Sequence, residues 1–437
     1  MKIGKLGLEK TLENHLIGTN AIQRYEVNAY GKRINQLEHQ KGKQGLRVRL
    51  TVDTEVQKAC GKLLNDRAGS ISVMDIYTGD IIAMYSSPSY DPNKFLFGIS
   101  NDDWALIRNN PLKPLVNKTL SGLYSPGSTI KPIVALSALE NKIVSPSFKV
   151  KCTGKMELYG QTFHCWKEKG HGFVSLKNAM KQSCDTYFYE VARLLGVDRL
   201  NVTAEKFGLG KKVLVYYFDF EKSGLFPNTK WKINNLGKGW VLGETLITGI
   251  GQGYTQTTPL QLCLMTAQIA NGGYSIKPRI IVDNNPMPLE EIKRKLKEET
   301  LHTQNKKLFN DPRNIKIVQE AMFSSTNELY GTSYKSRIDD PKYQFAGKTG
   351  TAQVKRISMR ERELDLKIEQ IPYKDRDHAL YIAYGPYINP RYALSIIVEH
   401  GGSGSRTAAP IAKELFKLII DRNDLRNKQK NFEEIKI

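Results

Sequence analysis

Hydrophobic and polar positions form two pairs of strand-like segments, one pair near each end of the chain. S-I-S-V-M-D-I-Y (70–77) and D-I-I-A-M-Y-S (80–86) flank a T-G break, which predicts a β-hairpin. L-Y-I-A-Y-G-P-Y (380–387) and Y-A-L-S-I-I-V-E-H (392–400) predict a second pair of adjacent strands, joined by a proline turn. The alternation in L-R-V-R-L-T-V-D (46–53) predicts one more strand.

Segments with helical spacing of apolar positions lie mostly between these strand pairs. They comprise residues 7–17, 54–65, 128–140 and 175–194 and the terminal stretch A-P-I-A-K-E-L-F-K-L-I-I (409–420). This order predicts one α/β domain whose sheet is assembled from both ends of the chain. We expect that sheet to be mainly antiparallel and flanked by helices.

Breaks in the pattern predict three parts of the chain. H-Q-K-G-K-Q-G (39–45) has the composition of a linker. We therefore predict a small N-terminal unit with its linker at 1–45, a main domain at 46–425 and a polar tail at 426–437. The charge-rich stretches 288–309 and 355–377 predict solvated helix or loop.

The charge narrows the possible partners only a little. The 437 residues include 65 Lys and Arg against 44 Asp and Glu, a formal net charge of +21. Such an excess favours an anionic polymer or surface, and it is equally consistent with solubility alone. No zinc-finger, RNP or helix-turn-helix pattern points to nucleic acid. No run approaches the roughly 18 apolar residues of a membrane helix, and the N-terminus lacks the apolar core of a signal peptide.

One helix start combines a serine with a nearby lysine. In Y-S-P-G-S-T-I-K-P (124–132), Pro126 and Gly127 end a loop, Ser128 suits a helix N-terminus, and Lys131 follows three residues later on the same face. A desolvated lysine can take the proton of a serine and make it a nucleophile. A capping serine beside a solvated lysine explains the same residues, so this motif alone is weak.

Two later triplets, together with the serine and lysine at 128 and 131, form a set of motifs that is far more specific than any one of them. Ser183-Cys184-Asp185 lies within the predicted helix 175–194, and Lys348-Thr349-Gly350-Thr351 precedes a predicted strand. A K-T-G triplet is expected by chance only about 0.2 times in a chain of this length. S-x-x-K, S-x-N/D and K-T-G in this order form the motif set of serine β-lactamases and penicillin-binding proteins.

With these motifs the chain resembles the class B penicillin-binding proteins, and among them the penicillin-binding protein 2 group of D,D-transpeptidases. V-M-D-I-Y-T-G-D-I-I-A-M-Y-S-S-P-S-Y-D-P-N (73–93), G-Q-G-Y-T-Q-T-T-P-L-Q-L (251–262) and V-E-H-G-G-S-G-S (398–405) are similar to further landmarks of that family. G-L-E-K and Y-E-V-N-A-Y-G resemble the end of its N-terminal pedestal. The resemblance implies the penicillin-binding and serine β-lactamase-like transpeptidase fold, with a truncated pedestal before it.

The resemblance also implies a role for each motif residue. Ser128 would attack the penultimate D-Ala carbonyl of a peptidoglycan stem peptide, and Lys131 would take its proton. Ser183 would relay a proton to the leaving group, and Asp185, where the family often has Asn, would hold the lysine. The expected groups for the terminal carboxylate are Lys348, Thr349, Gly350 and Thr351. The N–H groups of Ser128 and Thr351 would form the oxyanion hole.

The family further implies a location and partners. It acts on stem peptides during cell elongation and is a target of β-lactams. It sits at the periplasmic face of the bacterial inner membrane, on a single-pass anchor that this chain does not contain. The implied partners are a membrane glycan polymerase and shape-determining proteins, without nucleic acid and without an organic cofactor.

Three cysteines and a histidine form a possible metal site. Their spacing is Cys152-x12-Cys165-x5-His171-x12-Cys184, and three thiolates with one imidazole are a suitable set for a closed, structural zinc site. His164 is a possible substitute ligand. A Cys152–Cys165 disulfide, or Cys184 packed as a small apolar residue, explains the same residues. Cys60 and Cys263 lie on apolar helical faces, where we expect core positions.

Other functions remain open at this level. A D,D-carboxypeptidase uses the same motifs with water as acceptor. A β-lactam sensor or a scaffold without turnover would keep the fold for binding alone. A serine β-lactamase is disfavoured because the chain is long and carries pedestal-like residues before Arg49.

Overall fold

The computed structural model describes residues 3–282, 306–355 and 368–434, with side chains up to residue 423. The charge-rich stretches predicted at 288–309 and 355–377 therefore lie partly outside the described residues. The strands are β1 Ile22–Val27, β2 Arg33–Gln40, β3 Gly69–Asp75, β4 Ile81–Ser87, β5 Lys149–Cys152, β6 Lys155–Leu158, β7 Gln161–His164, β8 Gly172–Ser175, β9 Ala346–Ala352, β10 His378–Gly385 and β11 Tyr392–Val398.

The helices lie before, between and after these strands. They are α1 Gly7–Thr11, α2 Glu13–Leu16, α3 Thr54–Leu64, α4 Asn101–Arg108, α5 Lys118–Ser121, α6 Lys131–Glu140, α7 Leu176–Lys181, α8 Asp185–Leu195, α9 Val197–Lys206, α10 Thr229–Leu236, α11 Leu242–Gly249, α12 Pro259–Ala270, α13 Pro312–Asn327 and α14 Ala409–Glu434. Short 3-10 turns cover Pro92–Phe95, Gly127–Ile130, Tyr334–Ser336, Ile368–Gln370 and Tyr373–Asp375, and Gly404–Ala408 forms a π turn. No helix in the described part of the chain is both long enough and apolar enough to span a membrane.

The central sheet has five strands in the order β4-β3-β11-β10-β9, and every neighbouring pair is antiparallel. The predicted hairpin at residues 70–86 supplies β3 and β4, and the C-terminal part of the chain supplies the other three strands. The predicted mainly antiparallel sheet, built from both ends of the chain, is therefore confirmed. Both faces are buried, and β10 and β11 are accordingly almost continuously apolar. Strand β3 is buried along its whole length although it carries Ser70 and Ser72.

Two hydrophobic layers cover the sheet. On one face α3 and α14 pack against the strands, through residues such as Cys60, Phe416 and Leu394. On the other face the layer includes α6, α8 and α12, with Cys263 fully buried in it. Cys60 and Cys263 are thus core residues, as predicted.

Some local predictions differ from the structure. Residues 46–53 form no strand, because only a single bridge joins Leu50 to Ile281. The predicted helix 175–194 is two helices, α7 and α8, which meet at a sharp turn around Ser183. Helix α14 continues through residue 425, so the predicted tail 426–437 begins within a helix.

The N-terminal residues form a small unit with its own hairpin. β1 and β2 pair with each other alone and are largely exposed. The short helices α1 and α2 pack against the main domain, where Leu12 belongs to the large hydrophobic core. Lys10 forms an ion pair of 2.6 Å with Asp219 on that domain. The division at residue 45 stays a prediction.

Candidate active site

The turn that carries Ser128 lies directly against strand β9. Gly127 has a φ of 53°, and its N–H donates to Gly251 O at 2.9 Å. A Cβ at Gly127 would lie 2.4 Å from Thr351 O, so only glycine permits this close approach. Ser128 follows at once, half-buried, in a 3-10 turn that continues into α6.

Lys131 begins α6, one turn after Ser128, and its side chain is completely buried. Its Nζ donates to Asp185 Oδ1 at 2.7 Å, to Ser183 Oγ at 3.2 Å and to Ser183 O at 3.0 Å. A buried ammonium needs partners of this kind, because an unpaired buried charge is strongly unfavourable. The structure thus joins the S-x-x-K and S-x-D segments through the lysine.

Lys348 reaches the same serine from strand β9. It is fully buried, and its Nζ donates to Ser183 Oγ at 2.8 Å and to Thr349 O at 3.0 Å. Burial lowers the pKa of Lys348 well below its usual range, and the nearby charge of Lys131 lowers it further. The Ser183 hydroxyl can accept from both lysines and still has its own proton to give. That arrangement can move a proton between neighbouring groups.

Asp185 is fixed from both sides. One carboxylate oxygen meets Lys131, and Oδ2 accepts from the N–H of Trp166 at 3.0 Å. Asp185 also begins helix α8, where a carboxylate interacts favourably with the helix dipole. The side chain is thereby oriented to hold the ammonium of Lys131.

The predicted carboxylate-binding residues lie on β9, an edge strand of the five-stranded sheet. Thr349 Oγ1 donates to Thr332 Oγ1 at 2.8 Å. Thr351 is exposed, and its carbonyl accepts from Gln252 Nε2 at 3.1 Å. A Cβ at Gly350 would lie 2.7 Å from Thr129 Cγ2, so glycine lets the Ser128 turn rest on this strand. An extended ligand could lie along this edge.

A family model described as "Penicillin binding protein transpeptidase domain" matches residues 69–417, most of the chain. The chain belongs to the penicillin-binding protein family. A second model, "Penicillin-binding Protein dimerisation domain", matches residues 1–50. The predicted penicillin-binding transpeptidase fold is therefore confirmed.

Named members of this penicillin-binding family extend the match over nearly the whole chain. Peptidoglycan D,D-transpeptidase MrdA of Salmonella typhimurium is 35% identical over 96% of this chain, which spans 66% of that relative. The crystal structure of Pseudomonas aeruginosa PBP2 in complex with WCK 5153 has a TM-score of 0.78 and 36% identity, covering 95% of this chain and 83% of its own. PBP2 of Helicobacter pylori, in its complex with MreC, has a TM-score of 0.80 and 31% identity, and the match covers 95% of this chain and 72% of that chain. The resemblance to the penicillin-binding protein 2 group is thus confirmed.

In this penicillin-binding domain the predicted metal ligands come together beside the Ser183-Cys184-Asp185 motif. The ligand atoms of Cys152, Cys165, His171 and Cys184 all lie within 4.8 Å of one another. His171 Nδ1 is 3.5 Å from Cys152 Sγ and 3.6 Å from Cys165 Sγ. The tetrahedral bond lengths of zinc separate sulfur and nitrogen ligands by about 3.5 Å, so the donor set fits that ion.

The thiols of this cluster form no disulfide, and those of Cys165 and Cys184 shift each other's pKa. All five cysteines of the chain are free. A hydrogen bond with Cys184 lowers the pKa of Cys165, and the same contact raises the pKa of Cys184. His164, the possible substitute ligand, is not among the four clustered metal-ligand residues in the described part of the chain.

The cluster is connected to the Ser183-Cys184-Asp185 motif by short contacts. Cys184 lies between Ser183 and Asp185, and Asp185 N donates to Cys165 Sγ at 3.4 Å. Trp166, which follows Cys165, supplies the N–H that holds the Asp185 carboxylate. Movement of Cys165 would therefore displace the partner of Lys131.

Sequence reasoning assigned no role to Trp166, Gln252 or Thr332. Gln252 lies within the quoted G-Q-G-Y landmark, which could have indicated it. Trp166 donates to Asp185 through its backbone N–H and to Gln182 O through its indole N–H. Thr332 lies in a loop without a recognisable pattern. Only the fold brings these three residues to the catalytic motifs.

Proposed function

We propose that the chain is the catalytic part of a peptidoglycan D,D-transpeptidase that acts in cell elongation and is a target of β-lactams. The observation that carries the proposal is the Ser183 hydroxyl held between Lys131 and Lys348. Lys131 itself lies one turn after Ser128. Two buried lysines around one hydroxyl have no evident structural use, because each lysine costs free energy to bury. The family membership supports the same reaction.

Ser128 would be the nucleophile. Lys131, in its neutral amine form, would take its proton as Oγ attacks the penultimate D-Ala carbonyl, and a tetrahedral oxyanion would form. The N–H groups of Ser128 and Thr351 are the donors we assign to that oxyanion, since the Ser128 turn rests on β9. The C–N bond then breaks, and the leaving D-Ala nitrogen takes a proton through Ser183.

The acyl-enzyme would then react with an amine of a second strand. The amine attacks the ester carbonyl, loses a proton to the base and releases Ser128, which gives the cross-link. Lys348, Thr349, Gly350 and Thr351 would hold the terminal carboxylate along the edge of β9. With water in place of the amine the same residues would give a D,D-carboxypeptidase.

Intact-mass spectrometry tests the nucleophile. Benzylpenicillin should add one adduct to the unmodified chain and none to Ser128→Ala. An adduct that persists in Ser128→Ala would refute the assignment. Ser121→Ala, at a serine outside the motifs, is the matched control and should keep the adduct.

The molecule that accepts the acyl group distinguishes a transpeptidase from a carboxypeptidase, and the absence of any turnover would indicate a sensor or scaffold. A stem-peptide donor should yield a cross-linked product when an amine acceptor is added. Release of D-Ala with water alone, at the same rate with or without acceptor, would support the carboxypeptidase. An adduct with benzylpenicillin but no turnover of any peptide would support a sensor or scaffold.

We further propose that Cys152, Cys165, His171 and Cys184 hold a structural zinc ion. Four protein ligands leave no open position, so the metal would stabilise the fold around Ser183 and Asp185 rather than touch substrate. The support is the mutual approach of the four donor atoms to within 4.8 Å. Elemental analysis should give about one zinc per chain, whereas a Cys152–Cys165 disulfide in a peptide map would replace this proposal.

By family resemblance we assign the chain to the periplasmic face of the inner membrane. A glycan polymerase and shape-determining proteins are its proposed partners, in line with the MreC complex of the Helicobacter pylori relative. Copurification of the full-length protein with such partners from membranes tests this. We also retain the division into an N-terminal pedestal remnant at 1–45, the transpeptidase domain at 46–425 and a tail at 426–437.

A further inference from the structure

A chain of hydroxyl groups runs from strand β9 into the protein. Thr349 Oγ1 donates to Thr332 Oγ1 at 2.8 Å, and Thr332 Oγ1 lies 3.1 Å from Ser325 Oγ. Ser325, on helix α13, is fully buried. Each hydroxyl has one proton and two acceptor sites, so the three groups can be ordered in either direction.

The loop that carries Thr332 is fixed by other contacts. Its N–H donates to Lys181 O at 3.1 Å, at the end of α7. The neighbouring Ser333 Oγ lies within 3.1 Å of Thr326 Oγ1 and 3.0 Å of Tyr381 OH, in a separate buried cluster of hydroxyls. The loop that presents the Thr332 hydroxyl is therefore held by helices α7 and α13, independently of its contact with Thr349.

We propose that Thr332 is a positioning residue that makes the enzyme selective for ligands with a terminal carboxylate. The inference rests on the proposed function and goes beyond it. In the order described, the Thr349 proton points inward, to Thr332. When a carboxylate reaches β9, the order reverses: Ser325 donates to Thr332, Thr332 donates to Thr349, and Thr349 donates to the carboxylate.

The reversal needs only rotation of hydroxyl protons. No bond between heavy atoms forms or breaks, and no net charge moves. A hydroxyl that receives a hydrogen bond is a better donor, since successive hydrogen bonds polarise one another. Thr332 thus supports the donor of the carboxylate without contacting the ligand.

Stopped-flow acylation of the full chain tests this with benzylpenicillin and its methyl ester. In Thr332→Val the half-saturating concentration of benzylpenicillin should rise about tenfold, the size expected for one hydrogen bond. The limiting acylation rate should change less than about twofold, because the groups around Ser128 are untouched. Acylation by the methyl ester should change little in Thr332→Val. Thr332→Ser, which keeps a hydroxyl, should retain the preference of the unmodified chain for benzylpenicillin over the ester.

Four further variants sharpen the test. Ser325→Ala keeps the Thr349–Thr332 contact but removes the inner donor, so it should lower the selectivity in the same direction. The effects of Thr332→Val and Thr349→Val should not add in the double variant, because both break one chain. Thr203→Val, in the buried hydroxyl pair of Thr203 with Ser137 on helices α9 and α6, is the control and should leave the selectivity unchanged.

Several outcomes would overturn the inference. Equal loss of benzylpenicillin and ester acylation in Thr332→Val would mean that Thr332 has a structural role only. Unchanged selectivity in both Thr332→Val and Ser325→Ala would exclude the relay while the proposed function stands. If the unmodified chain forms no adduct at all, the proposed function fails and the inference fails with it.

Discussion

Ser183 has a backbone φ of 54°, in the left-handed region that residues other than glycine rarely adopt. It ends helix α7, where Cys184 N donates to Ala179 O at 2.9 Å and Ser183 N donates to Met180 O at 3.2 Å. A left-handed residue with this bonding is a common helix end, usually occupied by glycine. A serine here costs about 1 kcal/mol or more in backbone strain, and its hydroxyl is the group held between the two lysines.

The buried lysine of the K-T-G motif gives a prediction about pH and stability. Burial, and then the charge of Lys131, lower the pKa of Lys348 in the folded state, whereas unfolding restores a value near about 10.4. At pH values between the folded and the unfolded pKa of Lys348, the unfolded chain binds more protons than the folded chain, so the free energy of unfolding rises with pH. Below the folded pKa both states carry the proton, and the burial penalty is present in full.

Lys348→Met removes this penalty. We expect its gain in the free energy of unfolding over the unmodified chain to be larger at about pH 7 than at about pH 9.5, while acylation by benzylpenicillin falls. Urea unfolding at both pH values measures the gain. Lys335→Met, at an exposed lysine, is the control. A gain that increases with pH would contradict the assigned direction.

At the scale of elements, one side chain pairs with the backbone at the β4 edge of the sheet. The Gln57 amide, on helix α3, donates to Met84 O at 2.8 Å and accepts from Met84 N at 2.8 Å. Strand β4 is an edge strand, and exposed backbone groups on such an edge can pair with another chain. Gln57 therefore takes the place of a neighbouring strand at this position.

Gln57→Leu should lower the free energy of unfolding by about 2 kcal/mol, because it leaves both Met84 backbone groups without a partner. Urea unfolding measures the change, and the benzylpenicillin adduct should still form because α3 lies away from Ser128. Lys58→Leu is the matched control, since its exposed ion pair with Glu55 contributes little. A stability loss no larger than that of the control would show that water replaces Gln57 at no cost.

The cysteine cluster ties strand β5, the loop after β7 and the turn before α8 together. If it holds zinc, Cys152→Ser and Cys165→Ser open the same tetrahedron and should have the same effects. We expect each to lose the metal, to lower the melting temperature and to slow acylation, although neither residue touches substrate.

Zinc content, thermal unfolding and acylation rate of both variants provide the measurement. Cys263→Ser, at a buried cysteine outside the cluster, is the control: it should change stability without changing zinc content. Opposite effects of Cys152→Ser and Cys165→Ser on zinc content would contradict a shared site.

At the scale of the whole molecule, the N-terminal unit and the main domain share a core. Leu12 is 2% exposed and belongs to the same hydrophobic cluster as α6, α8 and α12. Thr11 Oγ1 donates to Tyr217 O at 2.9 Å beside the ion pair of Lys10 with Asp219. Contacts of this kind couple the N-terminal helices to the stability of the main domain.

Leu12→Ala should therefore lower the free energy of global unfolding by about 2–5 kcal/mol, the usual cost of truncating a buried leucine. Leu6→Ala is the control, because Leu6 is 61% exposed. Tryptophan fluorescence and circular dichroism in urea should report one coincident transition in both variants. A separate early transition in Leu12→Ala would mean that the N-terminal helices unfold on their own.

Local pattern alone determined much of this protein. The two strand pairs, helix α3, the buried positions of Cys60 and Cys263 and the family follow from apolar periodicity and from three ordered motifs. These features depend on near neighbours in the chain, so short windows contain the necessary information. The roles of Ser128, Lys131, Ser183, Asp185 and Lys348 stay predictions.

The tertiary structure decided what depends on distant residues. The predicted strand 46–53 does not form, since its pairing within the described residues is limited to the single bridge of Leu50 to Ile281. The predicted helix 175–194 is broken where Ser183 turns toward two lysines from other elements. The contacts of Thr332 with Thr349 and of Trp166 with Asp185 likewise have no local signature. Such contacts form only when the packed core brings separate segments together, because hydrogen-bond geometry is set in space and not along the chain.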